Sequence, residues 1–176
     1  MSDKNEVLPV EGAVIDTQDR TLLDRVCDYL NDKEWSFTRF EDRDCLVFNL
    51  RLRDGGVRVI VDIWEGAGWS RILVYAIYPT FVPEHRRPAV CEAIARINYA
   101  NILGCFEMDM ADGEVRARTT LESDVLIGEE MIDRAIRKSL DLADQYQAAL
   151  LSVAFGNASA KDVLEMGARD ETDTVQ

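Results

Sequence analysis

The chain has 176 residues, and its 33 Asp and Glu against 20 Lys and Arg give it a formal net charge of −13. That length suits one domain with its own hydrophobic core, and the composition, 47% hydrophobic and 30% charged, is that of a globular protein. The acidic balance argues against nucleic acids and anionic membranes as partners, because their phosphates would be repelled over most of the surface.

The N-terminus and the cysteines predict a cytoplasmic protein. Residues 1–12 lack the apolar core of a signal peptide, and the sequence has no run of about 18 apolar residues that could span a membrane. The cysteines form no Cys-x-x-Cys pair, and each lies in an apolar-patterned segment, at Cys27, Cys45, Cys91 and Cys105. We therefore expect buried thiols in a reducing compartment, with no disulfide and no zinc site.

The first half of the chain predicts a helix and then an antiparallel meander. We expect residues 1–16 to form a flexible arm, followed by a helix over about 19–32, capped by Thr17 or Asp19, whose apolar residues recur at steps of three and four. Strands are predicted where apolar and polar residues alternate, over residues 35–40, 44–53 and 57–65, separated by a charged turn at 41–44 and a glycine turn at 54–56. Residues 69–78 are apolar on both faces, as expected of a central or covered strand, and we expect Pro79 to end it.

The second half predicts helices on either side of a hairpin. We expect a helix over about 88–103 that stops at Gly104, because proline suits a first helical turn and glycine the left-handed residue after the last one. Phe106–Met110 and Val115–Thr119 form the hairpin, and apolar spacing predicts a long helix over 128–155. The main domain then spans 17–156, with a short helix within 157–166, capped by Ser159, and a disordered tail over 167–176.

Four segments carry a resemblance to a known family. They are Ala95-Arg-Ile-Asn98, Gly104-Cys-Phe-Glu-Met-Asp109, Asp112-Gly-Glu-Val-Arg116 and the helix end Asp144-Gln-Tyr146. With the order of elements, they make the chain resemble the YbjN family of bacterial proteins, described as sensory transduction regulators, over roughly residues 20–155. The family is similar in fold to type III secretion chaperones, which are small, acidic, dimeric proteins that hold an extended client segment.

The elements and the resemblance together predict an α+β fold in the order α-β-β-β-α-β-β-α, with an antiparallel sheet packed on one side by helices. The resemblance implies a homodimer, a protein client and no established enzyme activity. It supplies no catalytic residue, and we expect neither a metal nor a cofactor.

Catalytic signatures are weak. His85 is the single histidine, it lies in a polar turn bounded by prolines, and no serine or cysteine has a nucleophile motif around it. The acidic turn at Asp109, Asp112 and Glu114 lacks the register of a calcium loop, because Thr120 stands where the closing Glu should be, so a plain hairpin turn is favoured.

The turn that contains His85 offers an alternative function. His85, Arg86 and Arg87 place positive charge at a predicted helix N-terminus, where backbone N–H groups already favour an anion. A small anion or metabolite could bind there, which would make the protein a sensor or an enzyme. The simpler interpretation is that these are surface residues that offset nearby acids.

The polar side of the sheet carries the main hypothesis. Arg51, Arg53 and Arg58 would lie beside Ile60 and Trp64, with Arg116 and Arg118 on the corresponding side of the last hairpin. Trp and Arg are enriched at binding surfaces, so an extended or acidic protein segment is the expected partner if this side is exposed. The long helix or the N-terminal arm could instead cover it.

Asn98 shares a helix stripe with apolar residues and is expected to be partly buried, where its amide must find hydrogen-bond partners in a neighbouring loop or across a dimer axis.

Taken together, the sequence favours a non-catalytic, cytoplasmic, chaperone-like or regulatory protein-binding module. A subunit that merely completes a larger assembly is the remaining possibility.

Overall fold

The computed structural model describes residues 20–40 and 42–172, with side chains as far as residue 168. In chain order the elements are α1 (Leu22–Asp32), β1 (Thr38–Arg39), β2 (Cys45–Arg51), β3 (Gly56–Gly66), β4 (Trp69–Phe81), α2 (Arg87–Ala100), β5 (Cys105–Met108), β6 (Glu114–Ser123), α3 (Glu129–Phe155) and α4 (Val163–Thr172). A single 3-10 turn, Glu84–Arg86, precedes α2. The predicted arm over 1–16 and the caps Thr17 and Asp19 lie outside the described residues.

The strands form one six-stranded sheet in the order β1-β2-β3-β4-β6-β5, and every neighbouring pair is antiparallel. The first four strands are a meander, as predicted. The β5–β6 hairpin then joins the sheet with β6 against β4, so the shorter β5 forms the far edge.

Helices α1, α2 and α3 bury one face of this sheet. Alternate strand residues such as Phe48, Val59 and Val74 lie in the core with helix residues such as Ile97 and Ile136. The period of two along the strands and of three to four along the helices puts both apolar sets in one layer, and each fully buried aliphatic side chain contributes about 1.5–3 kcal/mol. The predicted α+β class, with helices on one side of an antiparallel sheet, is confirmed.

The N-cap of the first helix is Thr21, four residues after the predicted cap Thr17 and two after the alternative, Asp19. The Thr21 hydroxyl accepts a hydrogen bond from the backbone of Asp24, whose carboxylate in turn accepts one from the Thr21 backbone. This reciprocal capping box satisfies two of the free N–H groups at the helix start.

Pro79 does not end β4, which was a wrong prediction. The strand continues to Phe81, and the pairing of β4 with β6 shifts register between Ile77 and Phe81. A proline has no N–H to donate, but a bulge removes the need for that hydrogen bond, so the strand passes through Pro79.

Two helix ends also differ from the predictions. Helix α2 ends at Ala100 rather than at about 103, and Gly104 takes a positive φ of 80° in the loop that follows. Helix α4 runs from Val163 to Thr172, so residues 167–172 are helical where a disordered tail was expected. Gly167 lies so close to the Tyr146 ring that a Cβ there would be 2.4 Å from it, which shows how tightly α4 packs on α3.

None of the helices within the described ranges is long and apolar enough to cross a membrane.

Candidate functional site

The second face of the sheet carries no packed helix within the described part of the chain. Every strand residue of the main core cluster, fully or partly buried, points to the helix side, whereas Cys45 at the start of β2 is buried on the opposite side. We call the other side the open face. Cross-strand pairing arranges its side chains in rows, which run Val47, Ile60, Tyr75 and Arg118; Asn49, Arg58, Ile77 and Arg116; and Trp64, Arg71 and Glu122. The alternative in which the long helix covers this face is therefore wrong, because α3 packs on the opposite side.

The middle of the open face is apolar. Ile60, Leu73, Tyr75 and Ile77 are half-buried by their neighbours in the sheet, and together they form a continuous patch on β3 and β4. Side chains directly opposite on antiparallel strands lie about 4.5–5.5 Å apart at Cβ, close enough to make one surface.

Two tryptophans stand at one end of this patch. Trp64 on β3 and Trp69 on β4 are 39% and 41% exposed, and their ring centroids are 4.0 Å apart. Gly66 makes the arrangement possible, because a Cβ at that position would lie 2.2 Å from the Trp64 indole. Two exposed, mutually stacked indoles are large apolar surfaces that a partner can bury.

Arg116 and Arg118 occupy the β6 side of the open face and are held by acids and an aromatic ring. Both pair with Glu107 on β5, at 3.0 Å and 2.6 Å, and the Arg116 guanidinium lies 4.4 Å from the Tyr75 ring centroid. Burial would lower the pKa of Arg118, but Cys105 and Glu107 beside it raise that pKa on balance. Both guanidinium groups are therefore held in position by Glu107.

Arg51 and Arg58 are exposed and form no ion pair with the carboxylates whose side chains are described, whereas Arg71 pairs with Asp62 at 3.2 Å. The open face has five arginines and four carboxylates on its strands, a balance of +1; they are Arg51, Arg58, Arg71, Arg116 and Arg118, and Asp62, Glu107, Glu114 and Glu122. For a chain of net charge −13, this is a locally cationic surface.

Arg53 does not belong to the open face, and its predicted placement there was wrong. It lies beyond the end of β2, where its backbone N–H and its guanidinium both bind the carboxylate of Asp144 on α3, at 2.8 Å and 3.2 Å. Side chains alternate between the two faces only within the strand, and β2 ends at Arg51. The alternation therefore does not predict where the Arg53 side chain points.

The three residues of the alternative anion site are not assembled for binding. Arg86 donates to the carbonyl oxygens of Val153 and Gly156 at the end of α3. Arg87 donates to the carbonyls of Val82, Met110 and Ala111 and so ties the β5–β6 turn to α2. Both guanidinium groups are directed at backbone oxygens, and only His85 stands exposed, so this geometry weighs against the anion-site hypothesis.

Asn98 binds the edge of the sheet. Its amide donates to the Phe106 carbonyl at 3.0 Å and its carbonyl accepts from the Phe106 N–H at 2.8 Å. The expected partly buried amide thus has its partners in the neighbouring strand. It also occupies the outward N–H and C=O of Phe106 in the four-residue β5, which disfavours the addition of another strand there.

The acidic turn before β6 is a plain hairpin turn, as the failed calcium register predicts. The carboxylates of Asp109 and Asp112 accept hydrogen bonds from the backbone N–H groups of Ala111 and Glu114. Gly113 has a positive φ of 89°, and a Cβ there would be 2.3 Å from the Val82 carbonyl oxygen. Among the described residues, no cluster of His, Cys, Asp and Glu could hold a metal ion.

The cysteines give little support for nucleophilic chemistry. All four thiols are free, and burial raises the pKa of both Cys27 and Cys45. A raised pKa keeps a thiol protonated, and the thiolate is the reactive form.

Sequence reasoning missed part of the open face. Trp69, Arg71, Leu73 and Tyr75 belong to it, although their strand was interpreted as apolar on both faces. A period-two signal was present only in part. Trp69, Arg71 and Tyr75 fall on odd positions and Ile72, Val74 and Ala76 on even ones, but Leu73 and Ile77 are apolar residues at odd positions and hide the alternation.

The fold and the open face define a class of protein: a two-layer α+β module in which the described helices cover one side of the antiparallel sheet. A sequence model of the YbjN family, described as "Putative bacterial sensory transduction regulator", matches residues 22–152, and this chain belongs to that family. The resemblance predicted from the four segments is thereby confirmed.

Among solved structures, the chain is similar to one described as "Crystal structure of YbjN, a putative transcription regulator from E. coli". The two are 17% identical, the match covers 74% of this chain and 90% of that chain, and the TM-score is 0.49. No curated protein matches the chain significantly.

Proposed function

We propose that this protein is a non-catalytic regulatory module that binds an extended segment of another protein on its open face, in the manner of a chaperone. The regulatory class agrees with the description of its family. The observation that carries the proposal is the composition of the open face: an apolar centre at Ile60 and Tyr75, the exposed pair Trp64 and Trp69, and a frame of arginines.

The arginines favour a partner segment with acidic residues. Arg51 and Arg58 have no ion pair with a described carboxylate, so an incoming Asp or Glu could bind them without displacing an internal partner. Arg116 and Arg118 already form ion pairs with Glu107. In this proposal they keep the β6 side of the apolar patch rigid for the partner segment. Electrostatic complementarity of this kind raises the association rate and selects among partners.

The form of the partner follows from the two edges of the sheet. β1 has two residues, and β5 has four, of which Phe106 has its outward N–H and C=O bound by Asn98, so neither edge strand offers a long free ladder for an added strand. An extended segment would instead lie across the face, with its side chains on the patch between the tryptophans and Arg58. We place this activity in the cytoplasm, as the sequence predicts, and in a homodimer, as the family resemblance implies.

The experiment compares two charge-introducing variants in partner capture from the native cell lysate. Trp64→Glu places a carboxylate on the open face, and Tyr99→Glu makes the same change at a 95% exposed aromatic on α2. We expect Trp64→Glu to abolish capture of proteins that the parent and Tyr99→Glu retain, with circular dichroism unchanged in both. Equal capture by all three proteins would remove Trp64 from the site and contradict the proposal.

A further inference from the structure

A small cavity lies on the helix side of the sheet, away from the open face. It has a volume of about 220 Å³ and lies between β6, α3 and the loop before β5, lined by Leu103, Gly104, Thr119, Thr120, Leu121, Met131, Arg134, Ala135 and Lys138. Sites for drug-sized ligands measure roughly 300–1,000 Å³, so an occupant of this cavity would be a small molecule.

The walls of the cavity are mainly hydrocarbon. Leu121 comes from the sheet, Met131 and Ala135 from successive turns of α3, and Leu103 from the loop. Leu103 is 60% exposed, and its neighbour Ile102 is 97% exposed. Leu103 lines the cavity, so its exposed side chain would lose solvent contact if a hydrocarbon chain entered.

Two cations stand over this cavity. Arg134 and Lys138 are four residues apart on α3, so they are neighbours on the same helix stripe. Both are exposed, and neither forms an ion pair with any carboxylate whose side chain is described, although the chain carries a net charge of −13. Like charges at this spacing repel each other, and an anion between them would relieve the repulsion.

We propose that this cavity binds a small amphiphilic carboxylate, with the hydrocarbon chain among Leu103, Leu121 and Met131 and the carboxylate at Arg134 and Lys138. Apolar walls select the hydrocarbon chain, and the pair of cations selects the charge of the head group. The site is separate from the open face, so it could act as a ligand-responsive element in the same protein. It uses none of the residues His85, Arg86 and Arg87.

The test uses octanoate as the probe, followed by amide chemical shifts of the isotope-labelled protein. Octanol has the same chain without the charge, and acetate has the charge without the chain. The variant R134Q/K138Q removes both cations at exposed positions, and R96Q/K161Q removes two positive charges that do not line the cavity.

We expect octanoate to shift amides of the loop at 103–104, of β6 at 119–121 and of α3 at 131–138 in a saturable way. R134Q/K138Q should weaken binding about tenfold or more, because it removes the charge-assisted contacts, whereas R96Q/K161Q should change it little. Octanol and acetate should bind much more weakly than octanoate. Equal affinity of octanoate for R134Q/K138Q, equal binding of octanol, or no saturable shift at millimolar octanoate would each overturn the proposal.

Discussion

The indole of Trp64 lies on that of Trp69, with ring centroids 4.0 Å apart and planes inclined by 33°. The two residues flank the turn between β3 and β4, and Gly66 leaves the space that the Trp64 ring occupies. An aromatic pair that stays two-fifths exposed is a large apolar surface at the end of the open face.

Replacement of Gly66 by Ala should therefore disturb the tryptophan pair without unfolding the protein. The new methyl would lie 2.2 Å from the far edge of the Trp64 ring, so the indole must turn away from Trp69. We expect a changed tryptophan fluorescence spectrum and reduced partner capture, at a stability loss of about 1 kcal/mol from the broken stacking.

Gly56→Ala is the matched control, because a Cβ at Gly56 would make ordinary contact at 3.5 Å with the Leu50 carbonyl oxygen. Its fluorescence spectrum and capture should match those of the parent. An unchanged spectrum for Gly66→Ala would contradict the account of how Gly66 positions Trp64.

Arg86 should prove structural rather than ligand-binding. Its guanidinium closes the end of α3 by donating to the Val153 and Gly156 carbonyls, which have no partner within the helix. We expect Arg86→Gln to lower the free energy of unfolding by about 1.5–3 kcal/mol, the usual contribution of hydrogen bonds from a charged group, as measured by urea denaturation. His85→Gln in the same turn should change it little, and equal effects of the two variants would count against this role.

Asn98 should be important for the packing of β5 on α2. Asn98→Ala leaves the Phe106 N–H and carbonyl without their side-chain partners in a partly buried position, so we expect a loss of about 1–3 kcal/mol in urea denaturation. Asn157→Ala, at an exposed position after α3, provides the comparison. If both variants unfold at the same urea concentration as the parent, the Asn98 bridge contributes nothing to stability.

Acid should weaken the contact between α1 and α3 through Asp133. Its carboxylate accepts a hydrogen bond from Tyr29 at 2.9 Å and pairs with Arg137 at 2.8 Å. Burial would raise the pKa of Asp133, but these hydrogen bonds hold the pKa below its ordinary value of 3.8. As the pH falls, the Asp133 carboxyl is therefore protonated in the unfolded chain before it is protonated in the folded protein. The stability that ionised Asp133 contributes is present above the unfolded-state pKa of 3.8 and is lost as the pH falls through the lower folded-state pKa.

Urea denaturation between neutral pH and the acid range tests this relationship. Asp133→Asn should be less stable than the parent at neutral pH, and the difference should shrink as the pH falls. Asp141→Asn, at an exposed position on the same helix, should follow the parent at every pH. A difference for Asp133→Asn that stays constant with pH would show that its ionisation is not linked to folding.

Much of the fold follows from periodicity. The alternation along Leu46–Leu50 and Val57–Ile63 predicted one buried face, and the three- to four-residue spacing of α3 predicted its ends to within a residue. Tertiary context decided the rest: the bulge that lets β4 pass through Pro79, and the packing against Tyr146 that extends α4. Neither leaves a local signal in the sequence.

The sequence predicted the candidate site only for residues that lie within paired strands. Ile60, Trp64, Arg58, Arg116 and Arg118 lie on the open face as the alternation indicates. Arg53 does not lie there, and Arg86 and Arg87, predicted for an anion site, bind backbone carbonyls instead. Long guanidinium side chains find backbone or carboxylate oxygens that only the folded chain brings near. Pairing of this kind depends on contacts as much as 91 positions apart in sequence, beyond the reach of any local pattern.

The proposed binding of an extended protein segment on the open face can be measured directly. The most direct measurement is a titration of the isotope-labelled protein with a synthetic segment of a captured partner, followed by amide chemical shifts. Binding on the open face should shift the amides of Ile60, Trp64, Tyr75 and Ile77 and should fail with Trp64→Glu. Shifts confined to the helices, or binding that survives Trp64→Glu, would contradict it.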